Sequence, residues 1–137
     1  MSLFFRCIVL AWALGAAAPA VAQKAEPVIA GPYVPTPWVI VDEMLKLAEI
    51  RSSDVVYDLG SGDGRLVIMS AKRFGARGVG VELDSQLVET ARIGAKDEGV
   101  ADRFKFVQGD LFEADIKEAS VVMLYLLPGF VTRLVPK

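Results

Sequence analysis

The sequence predicts an α/β fold, a doubly wound parallel sheet flanked by helices, and three observations predict it. Short apolar runs end at glycine or acidic residues, near Leu59, Leu83 and Val107. The stretches between them carry apolar residues at helical spacing. The junctions carry cap and turn residues, so strands alternate with helices as parallel pairing requires. At 137 residues the chain has room for one such domain and one core.

The elements follow in order. Pro32-Tyr33-Val34-Pro35-Thr36-Pro37 is too rich in proline for a helix or a central strand. Thr36 suits an N-cap and Pro37 a first helical position, and Val41, Met44, Leu45 and Ala48 then recur at helical spacing to about Ile50. Asp54 to Leu59 reads as a buried strand, and Leu66 to Phe74 as a helix with Val67, Ala71 and Phe74 on one face and Gly75 closing it. Gly78 to Leu83 is the second strand. Asp84 caps a helix through Lys96 whose expected inward residues are Leu87, Ala91 and Ala95. Phe104 to Val107 is the third strand, its two phenylalanines alternating into a core. Ser120 to Leu127, almost wholly apolar, is the fourth.

The N-terminus reads differently. Met1 to Arg6 is weakly basic, Cys7 to Ala18 is a 12-residue apolar run, and Pro19-Ala20-Val21-Ala22 places small residues where a signal peptidase cleaves. The expected organisation is a signal peptide over 1–22, a connector with a Pro-rich loop over 23–36, and the domain over 37–137. Export to a periplasmic or extracellular compartment follows. The alternative is membrane anchoring through residues 3–22, a stretch at the short end of the ~20 apolar residues that span a bilayer.

Composition removes several chemistries. With no histidine there is no Ser-His-Asp triad and no histidine metal site. Cys7, the sole cysteine, lies in the signal segment, so no zinc cluster or thiol nucleophile is expected and no metal is assigned. Loss of residues 1–22 removes only Arg6 among charged groups, leaving 14 cations against 17 carboxylates, a net charge of −3. No basic stripe is present, and a nucleic acid partner has no electrostatic support. No feature sets an oligomeric state.

The chemistry concentrates in Asp58-Leu59-Gly60-Ser61-Gly62-Asp63-Gly64. This stretch falls where a strand must turn sharply into a helix, and its glycines let a ligand approach the main chain. Glu82 ends the second strand 22 residues past Gly60, where a carboxylate can take both ribose hydroxyls. Asp110, beside Leu111, ends the third strand where an adenine would lie. The glycines run G-x-G-x-G with Arg65 in the sixth position, unlike the G-x-G-x-x-G of dinucleotide sites. Asp58 and Asp63 bracket the turn with negative charge, unsuited to a diphosphate but suited to a sulfonium and an α-amino group.

Val55 to Asp110 resembles the class I S-adenosylmethionine-dependent methyltransferases. More narrowly, Pro32 to Pro37 together with Asp58 to Arg65 resembles a subgroup of membrane-associated lysine N-methyltransferases and their bacterial relatives. The resemblance implies a Rossmann-like doubly wound sheet of seven strands, of which the four here make an apparently truncated version. It implies that Asp58, Gly60 and Gly62, with Ser61 in the same turn, meet the methionine part of S-adenosyl-L-methionine. It places Glu82 at the ribose, Asp110 and Leu111 at the adenine, and Tyr33 and Thr36 over the methionine end. The implied activity is S-adenosylmethionine-dependent methylation of a protein lysine. The alternative is a non-catalytic binding module or inactive fragment of the same fold. The Asn/Asp-Pro-Pro-aromatic signature of base methylation is missing at Tyr125-Leu126-Leu127-Pro128. No residue is singled out as a catalytic base. The reaction needs chiefly orientation and exclusion of water, because a sulfonium is already a good leaving group.

Overall fold

The computed structural model describes residues 32–137, so the signal peptide and most of the connector expected before them lie outside the described residues. The elements are α1 (Trp38–Leu47), β1 (Val55–Leu59), α2 (Arg65–Phe74), β2 (Arg77–Glu82), α3 (Ser85–Asp97), β3 (Phe104–Gln108), β4 (Val121–Met123) and α4 (Pro128–Leu134). The strands form one parallel sheet in the order β3-β2-β1-β4. The chain lays β2 and β3 successively to one side of β1, then returns to place β4 on the other. That reversal opens a crevice beyond the carboxyl ends of β1 and β4, the position where open α/β sheets bind ligands.

The sheet separates two cores. On one face Val56, Phe104, Phe106 and Met123 meet Val41 and Leu45 of α1, Leu66, Val67 and Ala71 of α2, and Val88, Ala91 and Ala95 of α3. On the other, Leu59, Val81, Leu111 and Leu134 are buried with Val79, Phe112, Leu124 and Leu126 against them. The second face is thus covered by the β3–β4 connection and the short α4, with the three longer helices all on the first.

Four details differ from the sequence reading. Thr36 does not cap α1: the N-cap is Pro37, no side chain accepts a bond there, and Thr36 is buried. A good cap contributes ~1 kcal/mol, whereas burying Val41 and Leu45, at 0% and 1% exposure, contributes roughly 1.5–3 kcal/mol each. Packing therefore holds this helix. On α3 the core takes Val88, and Leu87 turns to the crevice. Both 87-91-95 and 88-91-95 are apolar helical stripes, and the sheet selects the second. β4 runs only from Val121 to Met123, and its expected continuation through Leu127 bends into the crevice wall. Finally, α4 was not expected; Pro128 at its first turn is the local signal that starts it.

Caps elsewhere follow the sequence. The Asp84 carboxylate accepts the Gln86 N–H at 2.8 Å to start α3, and Gly75 closes α2 at φ 73°.

Candidate functional site

The crevice at the switch point is a cleft of about 920 Å³. All nine residues expected to hold the ligand line it: Tyr33, Thr36, Asp58, Gly60, Ser61, Gly62, Glu82, Asp110 and Leu111. The strand ends bring three carboxylates to it, Asp58 from β1, Glu82 from β2 and Asp110 just beyond β3.

The glycine turn is stitched to the end of β2. Gly60 and Ser61 both donate their N–H to the Val81 carbonyl, at 2.8 and 3.0 Å. Gly62 donates to Glu82 Oε2 at 2.9 Å, and Asp84 donates its N–H to Glu82 Oε1 at 2.9 Å. Both Glu82 oxygens are therefore aimed by main-chain donors, and each retains a lone pair for a ligand hydroxyl. Glycine is required at two places in the turn. At Gly62, φ is 55° and a Cβ would lie 2.6 Å from Tyr33 Cε2, so the ring rests on the bare main chain. At Gly64, φ is 78° and a Cβ would meet Phe106 and Ala91 at 2.7 and 2.8 Å, so α2 comes close to α3 and β3 only because the side chain is missing.

Asp58 is 2% exposed. Burial, reinforced by the nearby Glu82 and Asp63 carboxylates, pushes its carboxyl up to about 7. It caps no helix, since the N-cap of α2 is Gly64. Asp110 accepts the Phe112 N–H at 2.8 Å in an Asx turn, so it both ends the strand and borders the cleft. Ser61 Oγ is buried without a hydrogen-bond partner and sits over Gly80, where a Cβ would approach it to 2.9 Å. It lies on the sheet side of the turn.

The electrostatic reading of Asp63 needs correction. Its carboxylate is paired with Arg65, whose Nε donates to Oδ1 and Oδ2 at 2.9 and 3.1 Å. Burial raises the Asp63 carboxyl, but the Arg65 guanidinium outweighs it and leaves the group below its ordinary value. The negative charge open to a ligand is therefore that of Asp58, Glu82, Asp84 and Asp110, and Arg65 is the one cation among the described residues lining the cleft. Arg65 also donates from Nη1 to the Thr36 carbonyl at 2.8 Å and stacks 4.9 Å over Trp38. Sequence reasoning gave Arg65 no role, because its partners lie up to 29 positions away. It also left out Leu87 and Leu126, which line the cleft, while Tyr125, weighed between core and site, stands 43% exposed on the cleft wall.

The donor set suits the expected ligand. Carboxylates at three strand ends fit hydroxyls and amines, Leu111, Val81 and Leu87 supply apolar wall, and a diphosphate would find no unpaired cation among the described residues.

Fold and cleft together define an α/β nucleoside-ligand site of the methyltransferase kind. The ANTKMT methyltransferase domain family matches residues 58–137, and the chain belongs to it. A protein-lysine N-methyltransferase of Saccharolobus islandicus is 44% identical over 107 residues, 77% of this chain and 66% of the relative. An ATP synthase lysine N-methyltransferase of Xenopus laevis is 37% identical over 106 residues, 77% of this chain and 46% of the relative. The crystal structure of an RNA methyltransferase from Salinibacter ruber in complex with S-adenosyl-L-homocysteine is 61% identical, with a TM-score of 0.74 over 75% of this chain and 67% of that one. The chain thus spans about two thirds of the archaeal relative's length and about half of the Xenopus one. Among the described residues no helix is long and apolar enough to cross a membrane.

Proposed function

We propose that this chain binds S-adenosyl-L-methionine in the cleft and forms the cofactor-binding part of a methyltransferase acting on the side-chain amine of a protein lysine. The observation that carries the reading is the convergence of Asp58, Glu82 and Asp110 on a cleft whose one cation, among the described residues, is already paired. When bound, the cofactor supplies a methyl group on a sulfonium for transfer to a nucleophile. Asp58 holds the cationic end, and Glu82, fixed by Gly62 and Asp84, accepts the ribose hydroxyls. Asp110 orients the adenine over Leu111. Gly60 and Gly62 let the main chain approach, while Tyr33 and Thr36 exclude water above the turn.

Titration of the purified chain with S-adenosyl-L-methionine tests the binding, and transfer of a labelled methyl group to lysine-bearing peptides tests the activity. No binding by folded protein sinks the proposal. Binding without transfer to any acceptor favours the alternative of a non-catalytic module. RNA is a second reading, supported by the description of the Salinibacter protein, while the net charge of −2 favours protein. Label in RNA and none in peptides would reverse that order.

We also propose that residues 1–22 act as an export signal preceding a connector over 23–36. Intact-mass measurement after expression with a secretion apparatus tests it: a product starting at Gln23 is expected, and a product retaining residues 1–22 in the membrane fraction selects the anchor instead.

A further inference from the structure

The segment Pro32 to Thr36 crosses the mouth of the cleft and lines it along its whole length. It has no regular secondary structure, and Pro32 and Pro35 offer no N–H. Among the described residues its main chain is tied to the rest of the domain by one hydrogen bond, from Arg65 Nη1 to the Thr36 carbonyl at 2.8 Å. Arg65 is the first residue of α2, directly after the glycine turn. Its guanidinium reaches three segments at once: Asp63 in the turn, Thr36 in the crossing segment and the Trp38 ring at the head of α1. The side chain is only 19% exposed. Tyr33 completes the contact by resting on Gly62.

We propose that Arg65 is a positioning residue that straps Pro32–Thr36 down over the glycine turn, so that the closed cleft depends on the Asp63–Arg65–Thr36 bridge. The inference rests on the cofactor reading above but concerns a side chain which that reading does not use. A planar guanidinium suits the task because its fork serves a carboxylate and a carbonyl together while its face stacks on an indole. A lysine has a single charged nitrogen and cannot hold all three.

The test uses the full chain with Trp12→Phe, which leaves Trp38 as the only tryptophan. Acrylamide quenching of Trp38 and the dissociation rate of S-adenosyl-L-homocysteine are compared in the parent, Arg65→Gln and Arg65→Lys. In Arg65→Gln, quenching is expected to rise and dissociation to quicken about tenfold, the scale of one lost charge-assisted hydrogen bond. Arg65→Lys is expected to fall between. Unchanged quenching and dissociation in folded Arg65→Gln would overturn the proposal, as would a lowered melting temperature with dissociation unaltered. If Arg65→Gln does not fold, Arg65→Lys decides by the same two readouts. If the parent fails to bind S-adenosyl-L-homocysteine, the cofactor reading falls, and Trp38 quenching still decides whether Arg65 holds the strap.

Discussion

Glu82 accepts the main-chain N–H of Gly62 at 2.9 Å, joining the end of β2 to the middle of the glycine turn. Its other oxygen accepts the Asp84 N–H, so one carboxylate fixes both the turn and the start of α3. Binding and scaffold functions are thereby combined in one side chain.

Glu82→Gln separates them. The amide keeps the shape but has one acceptor oxygen where two are used, so one main-chain donor loses its partner. A stability loss of about 1–2 kcal/mol is expected from thermal melting. The affinity for S-adenosyl-L-methionine is expected to fall about tenfold or more by calorimetry. Affinity equal to the parent's would remove Glu82 from the ribose.

Gly62→Ala places a methyl 2.6 Å from Tyr33 Cε2 in a backbone conformation with φ 55°. The ring has an open side, so it moves off the turn more easily than the main chain does. The expected result is a loss of about 1–2 kcal/mol from the left-handed backbone, together with weaker cofactor binding. Adding Tyr33→Ala should recover part of the stability lost to the clash, giving a non-additive pair. Strict additivity in melting experiments would mean that Tyr33 and Gly62 do not touch in solution.

The strand-end acids were legible in the sequence because parallel strands end where glycine or acid interrupts an apolar run, and Asp58, Glu82 and Asp110 each stand at such an interruption. The turn was legible through its G-x-G-x-G spacing. What escaped are features decided by tertiary packing. Leu87 and Val88 are both apolar neighbours on a helix, and only the sheet chooses between them. Leu124 to Leu127 is as apolar as a strand, yet it leaves the ladder after Met123 to wall the cleft. Arg65 looked like a break in a motif, and its partners at Thr36 and Trp38 belong to an element that sequence proximity does not connect to it.

Gly64→Ala tests the scaffold alone. Its Cβ would press on Phe106 at 2.7 Å and on Ala91 Cβ at 2.8 Å, and the second cannot rotate away. With φ at 78° the strain and the clash add, for a loss of about 3 kcal/mol in urea unfolding. A loss under about 1 kcal/mol would mean that α2 and α3 separate more readily than their packing implies.

Asp58 should give stability an uncommon pH dependence. Its carboxyl is pushed up to about 7 in the folded state against an ordinary value of 3.8. Below 3.8 both states are protonated and the residue is neutral to folding. Between 3.8 and about 7 the unfolded chain releases the proton while the folded chain keeps it, so stability falls as pH rises through that window. Above it the penalty is constant, on the order of a few kcal/mol. Asp63, held below its ordinary value, acts in the opposite sense: its contribution is present above 3.8 and is lost as pH falls below it. The two windows therefore do not overlap. Urea unfolding at pH 5 and pH 8 should show the parent less stable at pH 8, and Asp58→Asn should remove most of that difference by being more stable than the parent at pH 8 alone. A cation bound beside Asp58 stabilises its ionised form, so S-adenosyl-L-methionine affinity should rise with pH up to about 7 and binding at pH 6 should release a proton. Calorimetry in two buffers of different ionisation enthalpy measures that proton directly, and an Asp58→Asn variant that still released it would place the titrating group elsewhere.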